Sequence, residues 1–289
     1  MDDKIAIVTG ATSGIGKEIA RGLARAGYRI GIVCRNAGKS EATVAELERG
    51  VPGAVVETFL ADLSVQADVR AAAERIAERY GRLDVLVNNA GVHEMRAAVS
   101  ADGFDHMVAT NHLGPFLLTN LLLDPLEKSA PTRVVVVASE AHRNAGRVDA
   151  ERFAEPGDYG PPGSFRVYGR SKLLNILFTQ ELAERMSGTG VTANAMCPGL
   201  VATGLVRDVP GSGPVGRAVS RTPFLRRPEQ GARMALRLAV DPAFEGRTGG
   251  FHSSTPGARF LPENGARKDR DLQRAVWERS AELVALNAR

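Results

Sequence analysis

A tyrosine stands four residues ahead of a lysine in the segment RVYGRSKLLN, which leads into an apolar run. Residues four apart share one face of a helix at about 6 Å, so Tyr168 and Lys172 are expected to be neighbours. A free tyrosine has a pKa of about 10, and an adjacent ammonium group is expected to lower it because opposite charge favours the phenolate. The pair could be an acid–base catalyst, although this spacing alone more often marks an ordinary amphipathic helix.

The elements that would position this pair alternate along the chain. Short β-branched runs follow longer helical ones, which is typical of a parallel sheet covered by helices on both faces. Strands are predicted in KIAIVTG, YRIGIVCR, AVVETFLADLS, LDVLVNNAG, RVVVVAS, VTANAMCPG and GGFHS, and helices in the segments between them, including HMVATNHLGPFLLTNLLLDPLEK. We therefore predict an α/β fold in which residues 1–289 form a single-domain doubly wound parallel sheet of Rossmann type.

A glycine-rich turn, TGATSGIG, follows the first predicted strand and opens the first helix. Gly10, Gly14 and Gly16 allow a tight turn and close approach to a pyrophosphate, while the helix N-terminus offers unpaired N–H groups. Alone, such a turn can be merely a turn. Placed between a strand and a helix, it favours a nucleotide site.

Composition excludes several other classes of function. The 37 Lys and Arg residues are interspersed with 33 Asp and Glu, which predicts a mixed solvated surface and no nucleic-acid partner. No apolar run approaches 18 residues, so we expect no membrane anchor and a cytoplasmic protein. The five histidines show no metal-binding spacing, and the two cysteines, Cys34 and Cys197, are expected to be buried thiols without a metal.

A set of motifs runs along nearly the whole chain. In order, they are Thr9-Gly10-x-x-x-Gly14-x-Gly16, Asp62, Asn88-Asn89-Ala90-Gly91, Asn111, Ser139, Tyr168-x-x-x-Lys172 and Pro198-Gly199-x-Val201-x-Thr203. Taken together, these motifs resemble those of the short-chain dehydrogenase/reductase family. Within that family, CRN, NHLG, SEAH and YGRSKLLNILF are most similar to the retinol dehydrogenase-like branch.

The resemblance implies catalytic roles for four residues. Tyr168 would protonate the carbonyl oxygen or accept the hydroxyl proton, and Lys172 would lower its pKa and hold the nicotinamide ribose. Ser139 would hydrogen-bond the same substrate oxygen, and Asn111 would support a proton path to the lysine. On residue type alone, Ser139 could be a turn residue and Asn111 a polar contact inside a helix.

The resemblance also implies contacts to the cofactor. Asp62 would take the adenine amino group, although a carboxylate at a strand end can instead be a helix cap. Asn88 is expected to tie strands together. The remaining expected contacts are Ser13, Ile15, Asn36 and Leu63 around the adenosine half, Asn89, Ala90 and Gly91 along its ribose, and Pro198, Gly199, Val201 and Thr203 at the carboxamide.

The end of the second strand predicts NADP(H) as the cofactor. Proteins that prefer NAD usually carry Asp or Glu here, roughly 20 residues after the glycine turn, but this chain has Cys34 followed by Arg35. The guanidinium can bind a 2′-phosphate bidentately, with no neighbouring carboxylate to repel it. Ser13 could add a hydroxyl donor and Lys17 a charge.

The substrate side is the least specific part of the sequence. Two Gly-, Pro- and Arg-rich segments, 143–165 and 203–228, follow strand ends and are expected to wall the pocket. Within the first, EPGDYGPPGS should form a flap without extending a helix. His142, just before it, could line the substrate entrance but is expected on the surface. These features favour reduction of a bulky, partly apolar ketone or aldehyde, and the resemblance implies a homodimer or homotetramer. The alternative is a catalytically silent NADP(H)-sensing protein, which should have lost the Ser-Tyr-Lys set.

Overall fold

The computed structural model describes residues 4–201 and 226–286. In that part of the chain, seven strands form one parallel sheet in the order β3-β2-β1-β4-β5-β6-β7. The strands are β1 Ile5–Thr9, β2 Arg29–Cys34, β3 Val56–Leu60, β4 Val85–Asn88, β5 Thr132–Val137, β6 Val191–Cys197 and β7 Phe251–Ser253.

Helices connect these strands. The α-helices are α1 Gly14–Arg25, α2 Ala37–Gly50, α3 Gln66–Tyr80, α4 His106–Val108, α5 Gly114–Leu121, α6 Leu123–Lys128, α7 Pro161–Arg185, α8 Pro228–Val240 and α9 Arg270–Leu283. Across these described residues, no helix is both long enough and apolar enough to cross a membrane.

The two faces of the sheet carry separate cores, as alternate residues of a strand point to opposite sides. Ile5 and Ile7 of β1 pack with α3, α5, α7 and α9, whereas Ala6 and Val8 pack with α1, α2 and α8. The predicted doubly wound sheet with helices on both faces is confirmed. The strand order reverses between β1 and β4, and ligands of such sheets bind at this switch point, outside the carboxyl ends of the strands.

The segment predicted as one helix after residue 105 is interrupted. Between α4 and α5, residues Ala109–Leu113 form a π-helical turn. Pro115 explains it, because a proline has no N–H to donate to the carbonyl four residues earlier and its ring clashes with that carbonyl. The residue four positions before Pro115 is Asn111, so the distortion is centred on a predicted catalytic residue.

The start of α7 corrects another prediction. The last residues of EPGDYGPPGS form the first turn of this helix, which begins at Pro161. Proline is favoured in the first turn because its φ is already helical and its missing N–H would be unpaired there. The preceding segment is anchored at two points, since Phe153 is fully buried and the Tyr159 hydroxyl donates to Asp105 Oδ2 at 2.8 Å, while residues 155–158 between them are exposed.

Candidate active site

The glycine turn lies at the carboxyl end of β1, against the segment that follows β4. Gly10 has a φ of +67°, and a Cβ there would lie 2.8 Å from the Cα of Ala90. Glycine is therefore required both by the backbone conformation and by the close approach. Ser13 is exposed at the N-terminus of α1 and makes no capping hydrogen bond, so its hydroxyl can reach a ligand.

Thr9 fastens this turn to the Asn-Asn-Ala-Gly segment. Its Oγ1 accepts hydrogen bonds from the backbone N–H groups of Asn89 and Ala90, both at 3.0 Å. The Asn89 amide donates to the Thr9 carbonyl at 2.9 Å, so this side chain holds the turn. Asn88 donates to Thr119 Oγ1 at 2.8 Å and thus ties β4 to helix α5, where the sequence predicted a tie between strands.

Asn111, Gly91 and Lys172 converge beside this segment. Asn111 is fully buried; its Oδ1 accepts from Val92 N at 2.7 Å, and its Nδ2 donates to Val92 O at 2.9 Å and to Ser171 Oγ at 3.0 Å. A Cβ on Gly91 would lie 3.0 Å from Lys172 Nζ and 3.2 Å from Asn111 Oδ1. The π-helical turn therefore places Asn111 near the lysine, and its role in a proton path stays a prediction.

Tyr168 and Ser139 complete the cluster. Lys172 Nζ lies 5.6 Å from the centre of the Tyr168 ring, on the same face of α7. Ser139 follows β5, and its hydroxyl lies close enough to that of Tyr168 to affect the tyrosine's pKa. The Ser139 Oγ also accepts from Ala141 N at 3.1 Å, which fixes its direction. The predicted catalytic residues are thus brought together at the carboxyl ends of β4 and β5.

The neighbouring lysine was expected from the sequence to lower the pKa of Tyr168, and this prediction was wrong. Burial raises the pKa of Tyr168 above its usual value, Cys197 adds to the rise, and the hydrogen bond with Ser139 opposes it. Lys172 does not reverse this effect, because burial lowers its own pKa to about 8 and its Nζ donates to Val137 O at 3.1 Å. Removing a hydroxyl and an ammonium group from water favours the neutral form of each.

The basic site at the end of β2 has more partners than its sequence suggests. Arg35 is exposed, but its Nη1 lies 3.9 Å from Asp62 Oδ2, so a carboxylate does neighbour it. Lys17 points away and pairs with Glu46 at 2.7 Å. Asn36 caps α2 by accepting from Lys39 N at 2.9 Å.

One carboxylate oxygen of Asp62 already accepts hydrogen bonds within its own turn. Its Oδ1 accepts from the backbone and hydroxyl of Ser64 at 2.9 and 2.7 Å. Burial acts to raise the pKa of Asp62, but the hydrogen bonds from Ser64 and the charge of Arg35 outweigh it, and the pKa lies below its usual value. The carboxylate stays ionised.

The other predicted cofactor residues lie on different elements of the fold. Ile15 and Leu63 are buried in the two cores, so only their backbone atoms could meet a ligand. Pro198 and Gly199 follow β6, and the Gly199 N–H donates to Cys197 Sγ at 3.4 Å. Val201 is buried and pairs with Arg226. Thr203 and most of segment 203–228 lie outside the described residues.

Four more side chains near the site bear on the sequence interpretation. Cys34 and Cys197 are buried free thiols, as predicted. His142 is buried, not on the surface; its Nδ1 donates to the Ser139 carbonyl at 2.8 Å and so supports the serine. Sequence reasoning overlooked His93, whose ring lies 4.8 Å from that of Tyr168. Its position two residues after Gly91 was the available signal.

Comparison with known proteins agrees with this arrangement. Residues 4–150 match the short chain dehydrogenase family. Mouse retinol dehydrogenase 12 is 39% identical, over 98% of this chain and 87% of its own length.

Among solved structures, actinorhodin polyketide ketoreductase with NADPH is 29% identical, with a TM-score of 0.69 over 89% of this chain and 97% of its own. A short chain dehydrogenase from Burkholderia cenocepacia in complex with NADP is 27% identical, with a TM-score of 0.69 over 89% and 98%. The chain belongs to the short-chain dehydrogenase/reductase family, in its retinol dehydrogenase-like branch.

Proposed function

We propose that this oxidoreductase uses NADP(H) and reduces a bulky, partly apolar ketone or aldehyde to the alcohol. The observation that carries the proposal is the meeting of Tyr168, Ser139 and Lys172 beside Asn111 and Gly91, next to the glycine turn. These residues come from several separate elements of the fold. A catalytically silent sensor of the same fold would not need this cluster.

The residues at the switch point fit a dinucleotide. Gly10 and Gly16 leave no side chain between the turn and residues 89–90, and the N-terminus of α1 favours a pyrophosphate. The nicotinamide, when bound, supplies the hydride. Arg35 would bind the 2′-phosphate, since Cys34 stands where a carboxylate would select NAD. NADPH and NADP in the solved relatives support this choice.

The pKa values favour reduction over oxidation. Because burial raises the pKa of Tyr168, its hydroxyl keeps its proton at neutral pH and is ready to donate it to a carbonyl oxygen. Ser139 would hold the same oxygen through its hydroxyl. Lys172, with a pKa of about 8, is mostly protonated at pH 7 and favours the tyrosinate that remains. Asn111 holds the backbone of Val92, directly after the glycine that lies against this lysine.

The test is oxidation of NADPH in the presence of a panel of aldehydes and ketones, from acetone to ring-containing compounds. The ring of His93 contacts those of Tyr168 and of the exposed Phe165, so aromatic side chains lie beside the proton donor and we expect higher kcat/KM for ring-containing ketones. Cofactor binding without turnover of any carbonyl compound would overturn the proposed reaction. Equal efficiency with small and large ketones would overturn only the substrate size.

A further inference from the structure

His93 belongs to the wall of the candidate active site. Its ring centre lies 4.8 Å from that of Tyr168, with the planes tilted by 31°, and 4.7 Å from that of Phe165, with the planes at 71°. Half of Phe165 is exposed, so the two aromatic side chains and the histidine border open space. A substrate at the Tyr168 hydroxyl would pass close to the imidazole.

The hydrogen bonds around Ser164 fix the tautomer of His93. The fully buried Ser164 Oγ lies 2.8 Å from Pro161 O, 3.8 Å from Met95 Sδ and 3.1 Å from His93 Nε2. A hydroxyl has one hydrogen, and the near carbonyl oxygen is a better acceptor than the distant thioether sulfur. Ser164 therefore donates to Pro161 and accepts from His93, which places a proton on Nε2.

The other ring nitrogen of His93 is left as an acceptor. Burial lowers the pKa of His93, so the ring is neutral at pH 7 and Nδ1 carries a lone pair. Across residues 4–201 and 226–286, Nδ1 meets no hydrogen-bond donor, and it is not among the enclosed polar atoms that lack a partner. It is therefore not fully enclosed by the protein, and solvent or a ligand can reach it.

A second histidine shows what a purely structural arrangement looks like in this protein. His112 is fully buried, with Nε2 2.9 Å from Ser280 Oγ and Nδ1 3.4 Å from Asn175 Oδ1. Both of its nitrogens face polar groups of the protein. His93 has one nitrogen held by the buried Ser164 and the other accessible and without a partner among the described residues, so Nδ1 is free to accept a hydrogen bond from a ligand.

We propose that His93 determines substrate specificity by accepting, at Nδ1, a hydrogen bond from a hydroxyl group of the substrate. With Phe165 and Tyr168 as flanking rings, the preferred class is a ring-containing ketone or aldehyde that carries a hydroxyl group. This proposal rests on the proposed reductase function. A site that hydrogen-bonds a substrate hydroxyl discriminates against the analogue that lacks it, here by roughly 10-fold, since the nitrogen remains partly solvated in the analogue's complex.

The test compares acetophenone with its hydroxyl- and methoxy-substituted forms. We would measure kcat/KM with NADPH, and direct affinity by calorimetry, for the wild type, His93→Phe, His93→Asn and Ser164→Ala. His93→Phe keeps a ring but removes the acceptor, whereas His93→Asn can place an amide oxygen near the position of Nδ1. His252→Phe, on β7, is the matched control.

We expect the wild type and His252→Phe to prefer a hydroxylated ketone by roughly 10-fold. His93→Phe should abolish this preference while still reducing the unsubstituted ketone, His93→Asn should retain part of it, and Ser164→Ala should weaken it. A preference that survives in His93→Phe, or is missing from the wild type in both turnover and affinity, would overturn the proposal. Failure of the reductase function itself would appear differently, as no NADPH oxidation with any carbonyl while calorimetry still reports the hydroxyl preference.

Discussion

Among single side chains, the proton of Tyr168 is the one on which the proposed reaction depends. Tyr168→Phe keeps the ring beside His93 and Lys172 but removes the proton donor, so turnover should fall by ~10²-fold or more. NADPH should still bind, as measured by fluorescence titration. Tyr28→Phe, directly before β2 at the opposite end of the sheet, is the control and should retain turnover. Near-normal rates in Tyr168→Phe would remove the tyrosine from the mechanism.

Lys172 should make stability depend on pH in a defined direction. Its pKa of about 8 in the folded protein lies below the usual value near 10.4 of an unfolded lysine. Between these values the unfolded chain binds more protons, so the free energy of unfolding should rise with pH, by at most about 1.4 kcal/mol per unit. Lys172→Met lacks this contribution. We therefore expect its stability relative to wild type to fall from pH 8 to pH 10 in urea titrations.

If the free energies of unfolding of the wild type and of Lys172→Met depend on pH in parallel, the prediction for Lys172 is contradicted. Tyrosines with raised pKa values, such as Tyr80, change stability in the opposite direction at higher pH, but they are present in both proteins and cancel in the comparison.

What the sequence could predict about these residues depended on distance along the chain. The proximity of Tyr168 and Lys172 follows from helix geometry and was correct. The pKa of Tyr168 and the burial of His142 depend on packing by distant segments, and both predictions were wrong. Arg35 and Asp62 meet because β2 pairs with β3, which no local pattern reveals.

At the scale of elements, Gly91 is where the segment after β4 meets α7 and the π-helical turn. Gly91→Ala would press a methyl group against Lys172 Nζ and Asn111 Oδ1, which are held by Val137 O and Val92 N. Because a displacement near 1 Å can cost about 10²-fold in rate, we expect kcat to fall roughly 10-fold for a shift of a few tenths of an ångström. Steady-state kinetics would measure this.

The control for this change is Gly50→Ala, at the exposed end of α2, where a Cβ would have nothing within 4 Å. It should leave kcat unchanged, and both variants should show the wild-type circular dichroism spectrum. Unaltered kcat in Gly91→Ala would mean that Lys172 and Asn111 can give way without consequence for the reaction.

Prolines explain both elements that were predicted incorrectly from the sequence, the helix after residue 105 and the start of α7. Pro161 was interpreted as a turn former but begins α7, and Pro115 was included in a continuous helix but accompanies the π-helical turn. The effect of a proline depends on whether it occupies the first turn of a helix or follows an existing one. Composition alone does not distinguish these positions, because the start of the helix is set by packing.

For the whole molecule, the order of strands and helices was predictable because each element has its own hydrophobic period and each crossover has one favoured hand. The position of the site followed from this order, since the glycine turn and the ends of β4 and β5 meet at one edge of the sheet. The substrate was not predictable, because the pocket wall combines residues such as His93 and Phe165 from separate parts of the chain. The predicted homodimer or homotetramer and the cytoplasmic location stay predictions.

The preference for NADPH should be visible in the stability of the whole molecule. A ligand that binds only the folded state stabilises it by RT ln(1 + [L]/Kd), about 2.7 kcal/mol at 100 times Kd. A charge-assisted contact to Arg35 contributes ~1.5–3 kcal/mol, or ~10- to 100-fold in Kd. At equal saturating concentrations, NADPH should therefore raise the Tm about 3–12 °C more than NADH, given ~2–4 °C per kcal/mol for a chain of roughly this size. Arg35→Ala should lose this difference and keep the smaller shift with NADH, whereas Arg49→Ala, exposed on α2, should behave as wild type. Thermal unfolding of the three proteins with each cofactor measures this directly, and equal shifts with NADH and NADPH in the wild type would overturn the predicted preference for NADPH.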